Sequence, residues 1–180
     1  MATFYFGLKV NALERQRYRF SWEDITKGSR ILAEKCITRF HADAVLTFSG
    51  AGSIIANLAL LDAKQLLPLF TVIEIEKPES AVTEIHGYFL VETTKWLLFV
   101  PEAVRALADK RLAVLHDCCV SGDGLMLIKK ALVKTGFPAQ NVRTGVLVCS
   151  QTAIETNKSP DVYAFCVEHA TFHFPWGEKK

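Results

Sequence analysis

The sequence predicts an α/β domain, a central parallel sheet flanked by helices. Three observations carry that expectation. Short apolar runs rich in β-branched residues alternate with helical stretches along the chain, the pattern of βαβ units. Two of those runs end in a glycine-bearing loop that opens a helix, at residues 49–52 and 120–124. The 180 residues, half of them hydrophobic, suit a single core, with no repeat, linker or low-complexity segment. One domain over residues 1–180 is expected, long enough to bury roughly 70% of its unfolded surface without a disulfide or metal.

The elements follow in order. Residues 3–10 read as an N-terminal strand or edge. Ser21 with Asp24 three residues on is a capping-box start. The helix it opens puts Ile25, Leu32, Cys36 and Phe40 on one face, with Ala33 and Ile37 at its flank. A buried strand over 44–48 meets the first tight loop, and a helix is expected over 53–61. A strand over 69–75 is followed by a polar stretch that becomes alternating, so residues 77–94 read as a loop and a hairpin arm. A strand over 96–100 leads to Pro101 at the first position of a short helix. The strand over 112–115 runs into His116 and Asp117, then the second loop, then a helix from about Gly124 to Thr135 that stops at Gly136. Strands over 142–149 and 162–167 complete the sheet.

Bulk properties exclude several classes. The formal net charge is only +2, with acids and bases interspersed, which gives no case for nucleic-acid binding. No apolar run reaches the ~20 residues that span a bilayer. The start has no basic region and no cleavage site, so a cytoplasmic location is expected. The five cysteines have no zinc spacing and read as thiols; the adjacent Cys118 and Cys119 fit small apolar strand-end positions better than a redox switch. The dense apolar composition suggests a homo-oligomer interface.

The segment from Arg111 to Met126 carries the chemistry. A strand, an acid, a glycine loop and a helix N-terminus together aim backbone N–H groups and a partial positive charge at one point, which suits a phosphate. Asp117, at the strand's end, is placed to accept sugar hydroxyls. Val120, Ser121, Gly122, Asp123 and Gly124 form the turn. The first loop, Gly50-Ala51-Gly52 with Ala56 a turn later, taken alone is close to a dinucleotide fingerprint, with Glu74 or Glu76 free to hold a ribose.

Taken together, these segments resemble the type I phosphoribosyltransferases, with the 6-oxopurine enzymes nearest. The stretch 116–124 is similar to that family's loop for phosphoribosyl pyrophosphate (PRPP), with His116 in place of the first acid and Asp117 as the second. Asp43, Val45, Leu46, Ala51, Gly52 and Ala56 fit its pyrophosphate-loop pattern. The tail from Pro160 to Trp176 resembles the aromatic segment near the base pocket. The resemblance covers residues 20–176. It implies a small hood, from about 77–94 and the tail 168–180. It also implies magnesium (Mg2+) accompanying PRPP, and partners that are PRPP or a nucleotide and a purine-like base. On that pattern His116 and Asp117 are the catalytic positions. Ser121, Gly122 and Gly124 cradle the 5-phosphate, Ala51 and Gly52 hold pyrophosphate, and Trp176, with Phe172 and Phe174 as further candidates, covers the base.

Four departures from the pattern stand out. His116 removes a carboxylate. Val120 occupies the place of an acid near the purine. Gly124 replaces a hydroxyl donor. Asp123 puts a carboxylate inside the cradle, where at ~6 Å and an effective dielectric of ~20 it repels each ligand charge by ~3 kcal/mol. In addition, Cys149 and Ser150 stand where a base-binding lysine is usual, with Lys158 a distant substitute. Two functions follow: a PRPP- or nucleotide-binding transferase acting on a purine-like base, or a catalytically degenerate regulatory or assembly protein on the same scaffold. A dinucleotide-binding oxidoreductase is the third possibility.

Overall fold

The computed structural model describes residues 18–77, 84–168 and 172–179. The expected strand at 3–10 therefore lies outside the described residues, as does part of the 77–94 stretch.

Ten strands and four α-helices follow in order: β1 (Tyr18–Arg19), α1 (Trp22–Leu32), β2 (Ala44–Phe48), α2 (Ala51–Ala63), β3 (Leu69–Glu76), β4 (Tyr88–Glu92), β5 (Trp96–Pro101), β6 (Leu112–Cys119), α3 (Asp123–Lys134), β7 (Val142–Ser150), α4 (Gln151–Glu155), β8 (Val162–Val167), β9 (Phe172–Phe174) and β10 (Gly177–Lys179). Seven strands form one sheet in the order β4-β5-β3-β2-β6-β7-β8. The five strands β3, β2, β6, β7 and β8 are parallel, and β5 and β4 add an antiparallel edge. Among the described residues no helix is long and apolar enough to cross a membrane.

The parallel part has the doubly wound order 2-1-3-4-5, which differs from the 3-2-1-4-5-6 of dinucleotide-binding folds. The direction of winding reverses between β2 and β6. Ligands in such sheets sit in the crevice that opens where the order reverses, beyond the strands' C-terminal ends. The glycine loops follow β2 and β6, so the topology brings both to that crevice.

Each face of the sheet carries its own core. On one side α1, the helical turn after it and α2 cover Val45, Ala113, Leu115 and Leu147 with Ile25, Leu32, Ile37, Ile55 and Ala59. On the other, α3 covers Leu46, Val114 and Val146 with Ile128 and Leu132. Burying each such large aliphatic side chain contributes about 1.5–3 kcal/mol before conformational entropy is subtracted.

Helix α1 starts as its sequence dictates. The Asp24 N–H donates to Ser21 Oγ at 3.2 Å, and the Ser21 N–H donates back to Asp24 Oδ2 at 2.9 Å. The Ser21 hydroxyl also donates to Asp24 Oδ2 at 2.6 Å, and this bond, with that from the Ser21 N–H, holds the Asp24 carboxyl below the usual carboxylate range. The expected face is buried through Phe40, although residues Ala33–Thr38 widen into a π-helical turn that periodicity alone does not reveal. Gly28 lets α1 lie directly on β7 and β8: a methyl group there would run into Leu147 and come within 3.0 Å of Phe165.

The described part of the hairpin arm joins the main sheet as its edge, because β4 pairs along its whole length with β5. One element differs from expectation. Pro101 ends β5, and the turn after it is a 3-10 helix over Glu102–Leu107. A separate three-stranded sheet forms where β9 pairs with β1 on one side and β10 on the other. Its Phe172 and Phe174 are buried and pack edge-on at 5.3 Å, making them core aromatics.

Candidate functional site

A cleft of about 570 Å³ opens at the C-terminal ends of the parallel strands. Phe48 and Glu74 line it from β2 and β3, Trp96 and Leu98 from β5, and His116 and Cys118 from β6. The loop from Val120 to Gly124 forms a further wall, and Thr93, Thr94 and Lys95 between β4 and β5 close the opposite rim. Of the residues singled out in the sequence, His116, Val120, Ser121, Gly122, Asp123 and Gly124 therefore meet in one cavity.

The loop after β6 is held at several points. Gly122 adopts a left-handed conformation (φ +80°) and serves as the N-cap of α3, a position that favours glycine. The Ser150 hydroxyl, at the end of β7, donates to the Val120 carbonyl oxygen. The Asp123 N–H donates to Ser121 Oγ at 3.3 Å. Beneath the loop, Cys119 and Cys149 sit side by side on neighbouring strands, and the Cys119 thiol donates to the Lys158 carbonyl oxygen at 3.9 Å.

The first loop supports the cleft from behind. Gly50 caps α2 with φ +71°, and no cis peptide bond occurs among the described residues. At Gly52 a Cβ would sit 3.1 Å from His116 Nδ1 and 3.2 Å from Thr47 Oγ1, so the helix start rests on the imidazole. Ala51 and Gly52 are not part of the cavity's lining. Ser49 Oγ accepts from the Glu74 N–H at 3.2 Å, tying this loop to β3.

Asp117 requires a correction. It was expected at the strand's end, open to sugar hydroxyls; it is fully buried and does not line the cleft. The reason is strand parity. Strand β6 continues through Cys119, and side chains alternate along it. His116 therefore follows Leu112 and Val114 to one side, and Asp117 follows Ala113 and Leu115 to the other. The carboxylate instead meets the imidazole, with Asp117 Oδ1 lying 2.8 Å from His116 Nδ1. The His116 ring stacks on Phe48 at 4.1 Å and 10°, and His116 lines the cavity.

Trp176 also lies elsewhere. It stacks on Phe174 at 4.7 Å, leans on Trp22 at 5.6 Å and is absent from the cleft wall. The aromatics that do line the cleft are Phe48 and Trp96.

Sequence reasoning missed the role of Lys158. Its Nζ lies 2.7 Å from Asp123 Oδ1, and this ion pair holds the Asp123 carboxyl below the usual carboxylate range. The Lys158 backbone packs on Gly122: a Cβ there would run into the Lys158 carbonyl oxygen and come within 2.9 Å of its carbonyl carbon. The segment carrying Lys158 is fixed by Asp161, whose Oδ2 accepts from the Thr144 N–H at 2.7 Å and from Lys129 Nζ at 2.8 Å. A lysine 35 residues from its partner leaves no local sequence signal.

Among the described residues, no cluster of three or more His, Cys, Asp or Glu side chains is arranged to hold a metal. Compared by sequence, the chain matches no family model and no curated protein. Compared by structure, it matches phosphoribosyltransferases. It resembles a purine phosphoribosyltransferase from Pyrococcus horikoshii with a TM-score of 0.68 at 20% identity, covering 91% of this chain and 96% of that one. A protein from Neisseria gonorrhoeae with bound ppGpp matches at 0.65 and 20%, covering 91% of each chain. A hypoxanthine-guanine phosphoribosyltransferase from Bacillus anthracis matches at 0.59 and 12%, covering 86% of this chain and 83% of that one. The chain thus has the type I phosphoribosyltransferase fold. Within that fold its cleft is lined by His116 at the end of β6 and by Val120, Asp123 and Gly124 in the loop that follows.

Proposed function

We propose that this protein binds a phosphorylated ribose compound, PRPP or a purine nucleotide, in the cleft beyond β2 and β6, and that it works as a regulatory or assembly protein rather than as an efficient transferase. The observation that carries this reading is the inward turn of Asp117. Phosphoribosyl transfer needs carboxylates near the sugar as positive charge develops, and groups that hold the leaving pyrophosphate and the base. Here the strand end offers a stacked imidazole, and Val120 supplies no proton acceptor. The tethered loop and the start of α3 still favour an anion. The ppGpp held by the Neisseria gonorrhoeae neighbour supports a purine nucleotide as the ligand class.

Magnesium fits poorly as a resident ion. Of the carboxylates that line the cleft, Asp123 is engaged by Lys158, which leaves Glu74. An ion here would arrive as a complex with the ligand's own phosphates. Cysteines that remain as thiols suit a cytoplasmic location. The exposed Leu61, Leu66 and Trp22 offer apolar surface for a homo-oligomer.

The second reading, transfer to a purine-like base, is favoured by the cavity's size and by Trp96 in its wall, a flat surface on which a base can stack. Calorimetry with PRPP, GMP and NAD, followed by a pyrophosphate-release assay over a panel of bases, separates the possibilities. Binding of PRPP or GMP without release supports the regulator, and release with any base supports the transferase. Binding of NAD alone, or of nothing, defeats both.

A further inference from the structure

The geometry points to Lys158 as the residue that meets the ligand's phosphate charge, shared between Asp123 in the empty cleft and the phosphate in the filled one. This inference rests on the proposed binding of a phosphorylated ribose compound and names the side chain that reads its charge.

Four observations lead there. The Asp123 carboxylate lies in the wall of the cleft, in the turn that would cradle a phosphate. An uncompensated acid at that point would repel a dianion, yet Lys158 Nζ reaches it at 2.7 Å. Both side chains are about one-third exposed (35% and 36%), so the pair sits at the water boundary, where such contacts are weak enough to exchange. The backbone of Lys158 is clamped: its N–H donates to the Ala153 carbonyl at 2.8 Å, and its own carbonyl lies against Gly122. The root of the side chain is thus fixed beside the loop, and Asp123 is the partner its ammonium group would have to leave.

The surroundings bias the direction of that turn. Away from the cleft, Lys158 lines a groove of about 510 Å³ together with Lys129, Lys130 and Lys134. Its acid, Asp161, is already held by Lys129 and Thr144. Positive charge on the groove side repels the ammonium toward Asp123 and the loop. Lys158 does not itself line the cleft and stands behind Asp123, so a phosphate arriving at the start of α3 reaches its ammonium by displacing that carboxylate, while Lys95 is the cation in the cleft wall itself.

This arrangement predicts charge discrimination. A nucleotide gains from Lys158 and loses to Asp123, whereas a nucleoside, which lacks the phosphate, is indifferent to both. Calorimetry with GMP, PRPP and guanosine on the wild type, Lys158→Gln, Lys158→Arg, Asp123→Asn and the double variant Asp123→Asn/Lys158→Gln tests it. Lys158→Gln should weaken GMP and PRPP about tenfold or more, the equivalent of one charge-assisted hydrogen bond, and Lys158→Arg should restore most of the loss. Asp123→Asn should tighten both ligands, and the double variant should fall between the single ones. Guanosine affinity should not move across the set.

Unchanged GMP and PRPP affinity in Lys158→Gln overturns the role of Lys158 while leaving the cleft reading intact. An equal loss for guanosine and GMP means that the cavity has been deformed, and it overturns the role as well. A wild type that binds neither GMP nor PRPP removes both this inference and the proposal beneath it.

Discussion

Gly122 and Gly124 lie two residues apart in the same turn, and the structure predicts opposite outcomes for the same substitution. At Gly122 an added methyl meets two costs. The backbone is left-handed there (φ +80°), which costs an L-residue about 1–2 kcal/mol. The new Cβ would also lie 2.5 Å from the Lys158 Cβ and 2.9 Å from its carbonyl carbon. Backbone atoms cannot rotate out of the way, so the segment after α4 must shift, at an overpacking cost of about 1–3 kcal/mol. Gly122→Ala should therefore destabilise by about 2–5 kcal/mol, lowering Tm by ~4–20 °C for a chain of this length. At Gly124, within α3, an added Cβ would find only Leu98 Cδ1, at 4.0 Å. The gain is then mainly helix propensity, up to about 1 kcal/mol, and Tm should rise by ~2–4 °C. Circular dichroism melts of the two variants beside the wild type decide the matter. A Gly122→Ala protein that melts within 2 °C of wild type on the ~2–4 °C per kcal/mol scale refutes the close approach of Lys158 to the loop.

Other perturbations follow from the same contacts. The Asp161 carboxyl is pushed up by burial, but Lys129 and Thr144 outweigh that and hold it below the usual range. Its stabilising contribution is thus present above the unfolded value, near pH 4, and is lost as pH falls through the lower folded value. Asp161→Asn should cost about 1–2 kcal/mol at pH 7 and flatten the acid limb of a Tm-against-pH curve. Ser21→Ala removes the acceptor for the Asp24 N–H and should cost about 1 kcal/mol, read as a lower denaturant midpoint with unchanged slope. His116→Glu restores a carboxylate of the family pattern but sets it beside buried Asp117. Like charges at that range raise one pKa, so this variant should be less stable than wild type at pH 7 and recover toward pH 5; a flat profile would contradict the inward placement of Asp117.

The elements were legible in the sequence wherever periodicity was long or punctuation strong. The apolar face from Ile25 to Phe40, the Ser21 cap, the loops at Gly50 and Gly122, and the stop at Gly136 all fall where their residue types require. Asp117 was legible in principle. Alternation along Leu112-Ala113-Val114-Leu115 already sends His116 and Asp117 to opposite faces, and the error lay in ending the strand at the acid. The acid was expected at the strand's end, whereas ladder pairing with β7 carries the strand on through Cys119. Trp176 and Lys158 were not legible. Which partner an aromatic in a tail finds, and which acid a lysine in a distant loop reaches, depends on how the layers close, and neither leaves a local pattern. The π-helical turn after α1 is hidden for a related reason, since its residues keep the same buried face.

The tethering of the loop after β6 has a kinetic consequence. Ser150 fixes Val120, Ser121 engages Asp123, and the Lys158 backbone braces Gly122, so little chain remains to be ordered when a ligand arrives. Encounter rates for different phosphorylated ligands should then be nearly alike, and selectivity should appear in how long each one stays. A scaffold of this kind can lose its reaction and still serve as a timer, reporting a metabolite through residence rather than turnover.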